Sequence, residues 1–351
     1  MNFYKLQCSQ IIRETNDAVS ICFSIPDDLK DVFNYQAGQY LTLKVDIDGQ
    51  EERRAYSISS VPKVDKDIKI TIKSLEGGKV SVYFPHNIKQ GDYAEVMPPM
   101  GNFTFIPDFT RSQNYSLFAA GSGITPLFSI LKSILLFEPM SKVDLFYSNR
   151  YENEIIFAAE LKELEEKYPK RLKVHHFLTK YDENWQYYRG RINYKQIGNI
   201  LKNQENPKKK QDFYLCGPRE YMSNIQNALA ILEFPKNRIH RESFTADLDS
   251  LNNDNRPELI DRNVQVRVYG KTHNLQVAKG DTIVAAGIKQ NLILPYSCQI
   301  GACTTCRAKL ISGKVYMDMH DGLSESDIKN NYILTCRAFP ESDDVIIDLD
   351  Y

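Results

Sequence analysis

Three patterns of apolar and polar positions follow one another along the 351-residue chain. Up to about residue 108, short runs alternate apolar with polar side chains, as at 40–45, 68–72 and 94–97, and Gly, Pro and Asp part them. A period of two between turn residues predicts strands with one buried face. Several such strands in succession predict a small antiparallel β-barrel. From about residue 115 the runs become continuously apolar. Residues 116–120, 143–147, 172–178 and 212–216 read as strands buried on both faces, with helical stretches at 127–137, 155–167 and 220–232. Strands alternating with helices predict a doubly wound parallel α/β sheet.

Residues 245–261 are polar and crowded with Asp and Asn, so they bury little and read as a linker. Beyond them, 264–269 and 274–277 predict a hairpin around Gly270-Lys271-Thr272. A short helix is expected over 282–289, capped by Asp281, and strands at 308–311 and 345–349. A mixed sheet crossed by one helix is a ubiquitin-like β-grasp (α+β) pattern. The expected organisation is therefore multidomain: 1–108, 109–244, a linker at 245–261, and 262–351. No internal repeat or low-complexity tract interrupts it.

Composition narrows the function classes. Hydrophobic residues make up 42% and charged residues 25% of the chain, as in ordinary globular proteins, and the net charge is −1. No global field therefore draws the protein to nucleic acid or anionic lipid. Lys208, Lys209 and Lys210 form the obvious basic run, and beside Pro207 they read as a solvated loop. The longest apolar stretch, 127–137, is broken by Lys132 and Ser133 and falls short of the ~20 residues that span a bilayer. The N-terminus lacks an apolar core and a cleavage signature, which points to the cytoplasm.

The cysteines then say most. Cys298, Cys303 and Cys306 stand in one loop with spacing C-x4-C-x2-C, and Cys336 follows alone. This is the plant-type spacing for a [2Fe–2S] cluster, which passes single electrons at roughly −400 mV. Gly301 lets the loop approach the cluster, and loop amides can face sulfide and thiolate charge. A structural zinc site is the alternative, but it usually shows two short Cys pairs or a Cys/His mixture. Disulfides fit poorly with seven cysteines and no secretory signal. Cys8, Cys22 and Cys216 have no ligand spacing.

Two further sites suit a flavin and a nicotinamide. Arg54-Ala55-Tyr56-Ser57 would put Arg54 and Tyr56 on one strand face and Ser57 on the other. A guanidinium clamps phosphate, an aromatic ring covers an isoalloxazine or ribose, and a hydroxyl reaches a ring nitrogen. Alone, the same four residues also read as a strand edge with a surface arginine. Gly77-Gly78-Lys79-Val80-Ser81 precedes a helical turn, where exposed amides make a phosphate site. Gly121-Ser122-Gly123-Ile124-Thr125-Pro126 joins a strand to a helix, and Cys216-Gly217-Pro218 ends a later strand of the same sheet. Both loops belong on the carboxyl rim, where open α/β sheets bind ligands.

Arg-x-Tyr-Ser, Gly-x-Gly-Ile-Thr-Pro and Cys-Gly-Pro, in that order, resemble the ferredoxin–NADP reductase superfamily. With a plant-type ferredoxin segment at the C-terminus, the chain resembles reductase components of multicomponent oxygenases. The likeness also runs through Glu95-Val96-Met97-Pro98-Pro99-Met100-Gly101-Asn102-Phe103, Tyr147-Ser148-Asn149-Arg150 and Tyr332-Ile333-Leu334-Thr335-Cys336. It covers nearly the whole chain.

The resemblance implies FAD held by Arg54, Ala55, Tyr56 and Ser57, with Lys73, Gly77, Gly78 and Ser81 around it. FMN serves in some dioxygenase reductases of similar domain order. It implies NAD(P)H on Gly121, Gly123, Thr125, Pro126, Asn149, Arg150, Cys216, Gly217 and Pro218. Thr125 and Cys216 would lie beside the nicotinamide, and Phe244 near the flavin. Arg150 would meet a 2′-phosphate and favour NADPH over NADH, or else it is an exposed arginine at a strand end. Ser57, Thr125 and Cys216 stand near the reacting rings, with no acid–base catalyst required. The six histidines form no convincing triad or metal set. The expected activity is electron transfer from NAD(P)H through FAD and the cluster to an oxygenase. The alternatives are another redox acceptor, or a non-enzymatic redox-sensing scaffold.

Overall fold

The structure, a computed structural model, describes residues 2–202, 211–244 and 257–350. Lys208, Lys209, Lys210 and most of the expected linker lie outside the described residues. The chain divides into two compact units: Asn2–Glu52 with Tyr56–Phe244, and Thr245–Tyr351 with Met1 and Arg53–Ala55.

The larger unit begins with β1 (Tyr4–Arg13), β2 (Ala18–Ser24), β3 (Tyr40–Ile47), β4 (Gln50–Ser57, apart from Arg53–Ala55), β5 (Ile68–Lys73), α1 (Lys79–Asn87) and β6 (Tyr93–Val96). They form an antiparallel sheet in the order β4-β3-β6-β1-β2-β5. A bridge between Ile58, just past β4, and Ile70 of β5 joins the two edges into a barrel. Closure satisfies the edge amides that an open sheet would expose. The inward residues of the alternating pattern, among them Leu6, Ile21, Leu43, Ile70 and Val96, fill its interior.

The second sheet comprises β7 (Asn114–Ala120), α2 (Ile124–Phe137), β8 (Lys142–Asn149), α3 (Ala158–Lys167), β9 (Leu172–Leu178), β10 (Tyr188–Arg189), α4 (Tyr194–Lys202), β11 (Gln211–Cys216), α5 (Arg219–Ile231) and β12 (Ile239–Glu242). All its strands are parallel, in the order β10-β9-β8-β7-β11-β12. Both faces are covered, which is why its central strands carry continuous apolar runs. Leu117 and Leu145 pack on the α2 side, Phe118 and Phe146 on the α5 side. His175 and His176 point to opposite faces of the sheet. His175 stacks on Phe146 and reaches Asp144 at 2.7 Å, while His176 lies against Tyr147.

The smaller unit contains β13 (Arg262–Val268), β14 (Lys271–Val277), α6 (Ile283–Lys289), β15 (Arg307–Ser312), β16 (Val315–Met317), α7 (Glu325–Lys329), β17 (Tyr332–Leu334), β18 (Ala338–Pro340) and β19 (Ile346–Asp348). Its mixed sheet runs β14-β13-β19-β15-β17, with β13 and β19 parallel, and β16 and β18 make a separate ribbon. The β-grasp expectation holds in outline.

Several local expectations need correction. The helix expected from 155 starts at Ala158, because Phe157 adopts φ 62°, a left-handed conformation that breaks helical continuity. The hairpin turn is Tyr269-Gly270, both left-handed, so Lys271 and Thr272 belong to β14. Asp281 does not cap α6. Thr282 does, accepting from the Ala285 amide, and Asp281 instead pairs with Lys289 at 2.7 Å. The ribbon and α7, each only a few residues long, leave no periodic signal in the sequence. Among the described residues, no helix is long and apolar enough to cross a membrane.

One buried polar knot pins the connection between barrel and parallel sheet. Glu138, at the end of α2, has a fully buried side chain. It accepts from Arg111 at 2.9 Å, Tyr115 OH at 2.9 Å, Ser141 Oγ at 2.8 Å and the Asp108 amide at 3.0 Å. Removing one acceptor strands four donors, and a buried charge partner lost in this way costs about 3 kcal/mol. Glu138→Ala is therefore expected to lower the urea midpoint of the larger unit by that equivalent, with Glu138→Gln losing less. Equal midpoints for Glu138→Ala and the wild type would show that the knot carries no stability.

Candidate functional site

Cys303 and Cys306 come from the loop between α6 and β15 and are buried, as is Cys336 just after β17; Cys298 is half-buried. Cys298 Sγ accepts from the Cys303 amide at 3.3 Å. The thiols of Cys303 and Cys336 donate to it, and these two bonds hold its pKa well below the ordinary thiol range. Cys303 and Cys336 are pushed well up, first by that donation and then, for Cys336, by its bond to Cys306. Contact thus runs from Cys303 to Cys298 to Cys336 to Cys306. Among the described residues, no group of three or more ligating side chains is arranged for a single metal ion. Four thiols linked in one chain of contacts fit a two-iron, two-sulfide group, whose four thiolates are shared between two irons. Thr335 fastens the fourth ligand to the loop, its amide and hydroxyl both donating to the Cys306 carbonyl, at 3.1 and 2.9 Å.

The flavin-type residues lie on β4 and α1. Arg54, Ala55 and Tyr56 are half-buried and Ser57 is buried. The Arg54 guanidinium donates to the Arg53 carbonyl at 2.7 Å. Helix α1 starts after Gly78 with no side-chain cap, so its first-turn amides remain available to phosphate. Ser81 Oγ accepts from the Leu75 amide at 3.3 Å and steadies the preceding turn. Lys73 ends β5. Its ammonium lies 3.3 Å from Asp17 and 3.2 Å from Glu154, tying the barrel to the parallel sheet.

The nicotinamide-type residues converge on the carboxyl rim of the parallel sheet. Gly123 touches the Cys216 loop so closely that an added Cβ would sit 2.1 Å from the Cys216 carbonyl oxygen. Only glycine permits this approach, which sets the β7–α2 and β11–α5 turns side by side. Helices α2 and α5 both begin there without a side-chain cap, at Gly123 and Pro218. Thr125 Oγ1 donates to the Ser122 carbonyl at 3.0 Å. Cys216 is fully buried and its pKa well raised by desolvation, so it is held as the neutral thiol rather than as a thiolate. At the end of β8, Ser148 Oγ and both amide atoms of Asn149 are buried near the Tyr221 and Tyr147 hydroxyls, without a hydrogen bond of good geometry among the described residues. Orphaned polar atoms at a ligand-binding rim fit a bound dinucleotide. Arg150 is exposed beside them, its carbonyl accepting from the Lys180 amide at 2.8 Å.

Sequence reasoning missed the role of Glu242. It ends β12, and Ser57 Oγ donates to its carboxylate at 3.3 Å across 185 residues of sequence. Burial pushes the Glu242 carboxyl up to about 8, against the lowering effect of the Ser57 hydroxyl. The contact links the flavin-type strand to the edge of the nicotinamide sheet, next to Phe244, which packs on the α2-side core. Only the acidic residue two before Phe244 hinted at it. The pairing itself is long-range and has no local signature.

Family models match three consecutive segments: an oxidoreductase FAD-binding domain over residues 5–105, an oxidoreductase NAD-binding domain over 117–227, and a 2Fe-2S iron-sulfur cluster binding domain over 266–341. The chain is 34% identical to one of the subunits of 1,2-phenylacetyl-CoA epoxidase from Escherichia coli K12, covering 99% of this chain and 98% of that protein. It is 36% identical to the ferredoxin reductase component of 3-ketosteroid-9-alpha-monooxygenase from Rhodococcus rhodochrous, covering 98% and 96%. Among solved structures, phthalate dioxygenase reductase superposes with a TM-score of 0.61 at 23% identity, covering 99% and 98%, a likeness of fold.

Glu242 yields a pH prediction. Its folded pKa of about 8 lies above the ordinary 4.5, so folding favours the protonated form. The stabilisation is complete below the unfolded value and is lost as pH rises through about 8. In flavin-stripped protein, Glu242→Gln is expected to hold its Tm across this window while the wild type declines. Parallel Tm profiles would show that Glu242 does not titrate there.

Proposed function

Because the chain belongs to the FAD- and NAD-binding oxidoreductases that carry a C-terminal [2Fe–2S] domain, the reductase components of oxygenases, we propose that it oxidises NADPH and delivers single electrons to an epoxidase of the phenylacetyl-CoA type. That the chain is a flavin and iron–sulfur NAD(P)H oxidoreductase follows from the three matched domains and from full-length likeness to two oxygenase components. The choice of partner rests on the 34% identity to the epoxidase component over the whole chain. A ketosteroid monooxygenase-type partner is the second reading, favoured by 36% identity to the Rhodococcus protein. Acceptor assays with both purified oxygenases separate the two: coupled turnover with the first and none with the second supports the proposal. The reverse result replaces it. The reading also places the protein in the cytoplasm, among the enzymes of phenylacetate breakdown.

Residues 1–108 are assigned to FAD, 109–244 to NAD(P)H and 262–351 to the cluster. When bound, FAD takes the electron pair of a hydride and releases its electrons one at a time. The protein's work is placement. Arg54 and the open amides of α1 hold the FAD phosphates, Tyr56 covers a ring, and Ser57 presents its hydroxyl to the flavin edge. The touching Gly123 and Cys216 loops bring the open helix ends to the pyrophosphate of the dinucleotide. Thr125 and Cys216 flank its nicotinamide, and Asn149 satisfies its buried amide on the ligand. Glu242, to which the Ser57 hydroxyl donates, is pushed by burial towards its uncharged form. Arg150 meets the 2′-phosphate, with Lys180 as its neighbour.

Cys303→Ser should abolish the cluster's visible bands while leaving NADPH oxidation by ferricyanide largely intact. Loss of both would mean the centres are not separable. Arg150→Ala should raise KM for NADPH roughly tenfold or more and leave KM for NADH nearly unchanged. Equal changes for the two nucleotides would take Arg150 out of 2′-phosphate recognition.

A further inference from the structure

The tripeptide Cys-Arg-Ala occurs twice, at Cys306-Arg307-Ala308 and Cys336-Arg337-Ala338, so two of the four cluster cysteines are each followed by an arginine. Each arginine pairs with an aspartate: Arg307 with Asp327 at 2.9 Å, Arg337 with Asp318. The pairs differ in kind. Arg307 meets Asp327 through one contact, and that aspartate also serves the capping box of α7. Arg337 is bidentate, its Nε donating to Asp318 Oδ1 at 2.8 Å and its Nη2 to Oδ2 at 2.6 Å. Only 2% of the Asp318 side chain is exposed, against 11% for Asp327.

The Arg337 pair also touches the ligand loop. Asp318 follows β16 and Arg337 precedes β18, and these strands pair through Met317 and Ala338, so the ion pair extends that ribbon by one rung. Gly301, at φ 73° between Cys298 and Cys303, is the loop's point of contact. A Cβ added there would lie 3.0 Å from the Arg337 Cγ and 2.6 Å from the Met319 Cγ. The Gly301 carbonyl accepts from the Gly322 amide at 2.9 Å, which binds the loop to the same segment. The arginine stem therefore supports the loop while its head neutralises a carboxylate removed from water.

That neutralisation bears on redox chemistry. A [2Fe–2S] cluster with four thiolates is anionic and gains one more negative charge on reduction, so fixed charges held beside it in a low-dielectric interior shift its potential. We propose that the Arg337–Asp318 pair positions the cluster loop and sets the cluster's reduction potential, with Arg337 cancelling the field of a buried carboxylate. The proposal rests on the cluster reading above. Arg337 is a positioning residue, since it acts through the loop and through its field.

The test is a redox titration of full-length holoprotein followed by EPR, with iron content measured on each sample. The wild-type spectrum comes first, because absence of a cluster there would refute the functional reading itself. Given a wild-type cluster, Asp318→Asn should raise the potential, because Arg337 then stands uncompensated. Arg337→Gln should lower it. Each shift should be at least tenfold in the electron equilibrium, about 59 mV for a one-electron couple. Asp318→Asn with Arg337→Gln should return close to the wild-type value, and Arg337→Lys should retain most of it. If Arg337→Gln fails to assemble a cluster, Asp318→Asn and Arg337→Lys decide. Variants that lose iron while the remaining clusters hold the wild-type potential would overturn the proposal, as would an unmoved potential in Asp318→Asn.

Discussion

A hydride carries two electrons together, and a [2Fe–2S] cluster accepts one. A chain that joins them must hold a group between that deals in both, and must keep each of the three in its own environment. The architecture follows from this division of labour. A closed barrel supplies a strand with an arginine, an aromatic ring and a hydroxyl in fixed alternation. A parallel sheet supplies a rim where uncapped helix ends meet at the contact of Gly123 with Cys216. A loop-rich β-grasp fold supplies thiolates on a backbone free to wrap around a small inorganic group.

The two polar features that hold this arrangement obey one physical rule: charge taken from water must find partners or lose its charge. Glu138 keeps four donors around a fully buried carboxylate where barrel and parallel sheet join. Glu242 accepts from the Ser57 hydroxyl, and burial drives it towards the neutral acid. The same residue type thus serves as an anchor in one place and as an uncharged edge in another, by environment alone.

Features with a local signature were legible in the sequence. The C-x4-C-x2-C spacing, the glycine turns and the continuous apolar strands each lie within a dozen residues, and the fold they implied is the one found. Positions set by long-range contact were not. The Ser57–Glu242 pairing spans 185 residues, and the Lys73–Glu154 contact spans 81. Left-handed Phe157 shows the same limit at short range, because nothing in its own residue type announces a helix boundary. Thr282 and Asp281 both suit an N-cap by composition, and only the geometry of the Ala285 amide chooses between them.

All of this requires that a reduced nicotinamide, a two-electron donor, reduces the iron pair through the flavin within this one chain. Anaerobic titration of the purified holoprotein with NADPH, followed at once by visible absorbance and by EPR, examines that step without an oxygenase present. Loss of the flavin band together with the EPR signal of a reduced [2Fe–2S] cluster is the expected result. A bleached flavin beside a cluster that stays oxidised under excess NADPH would refute it.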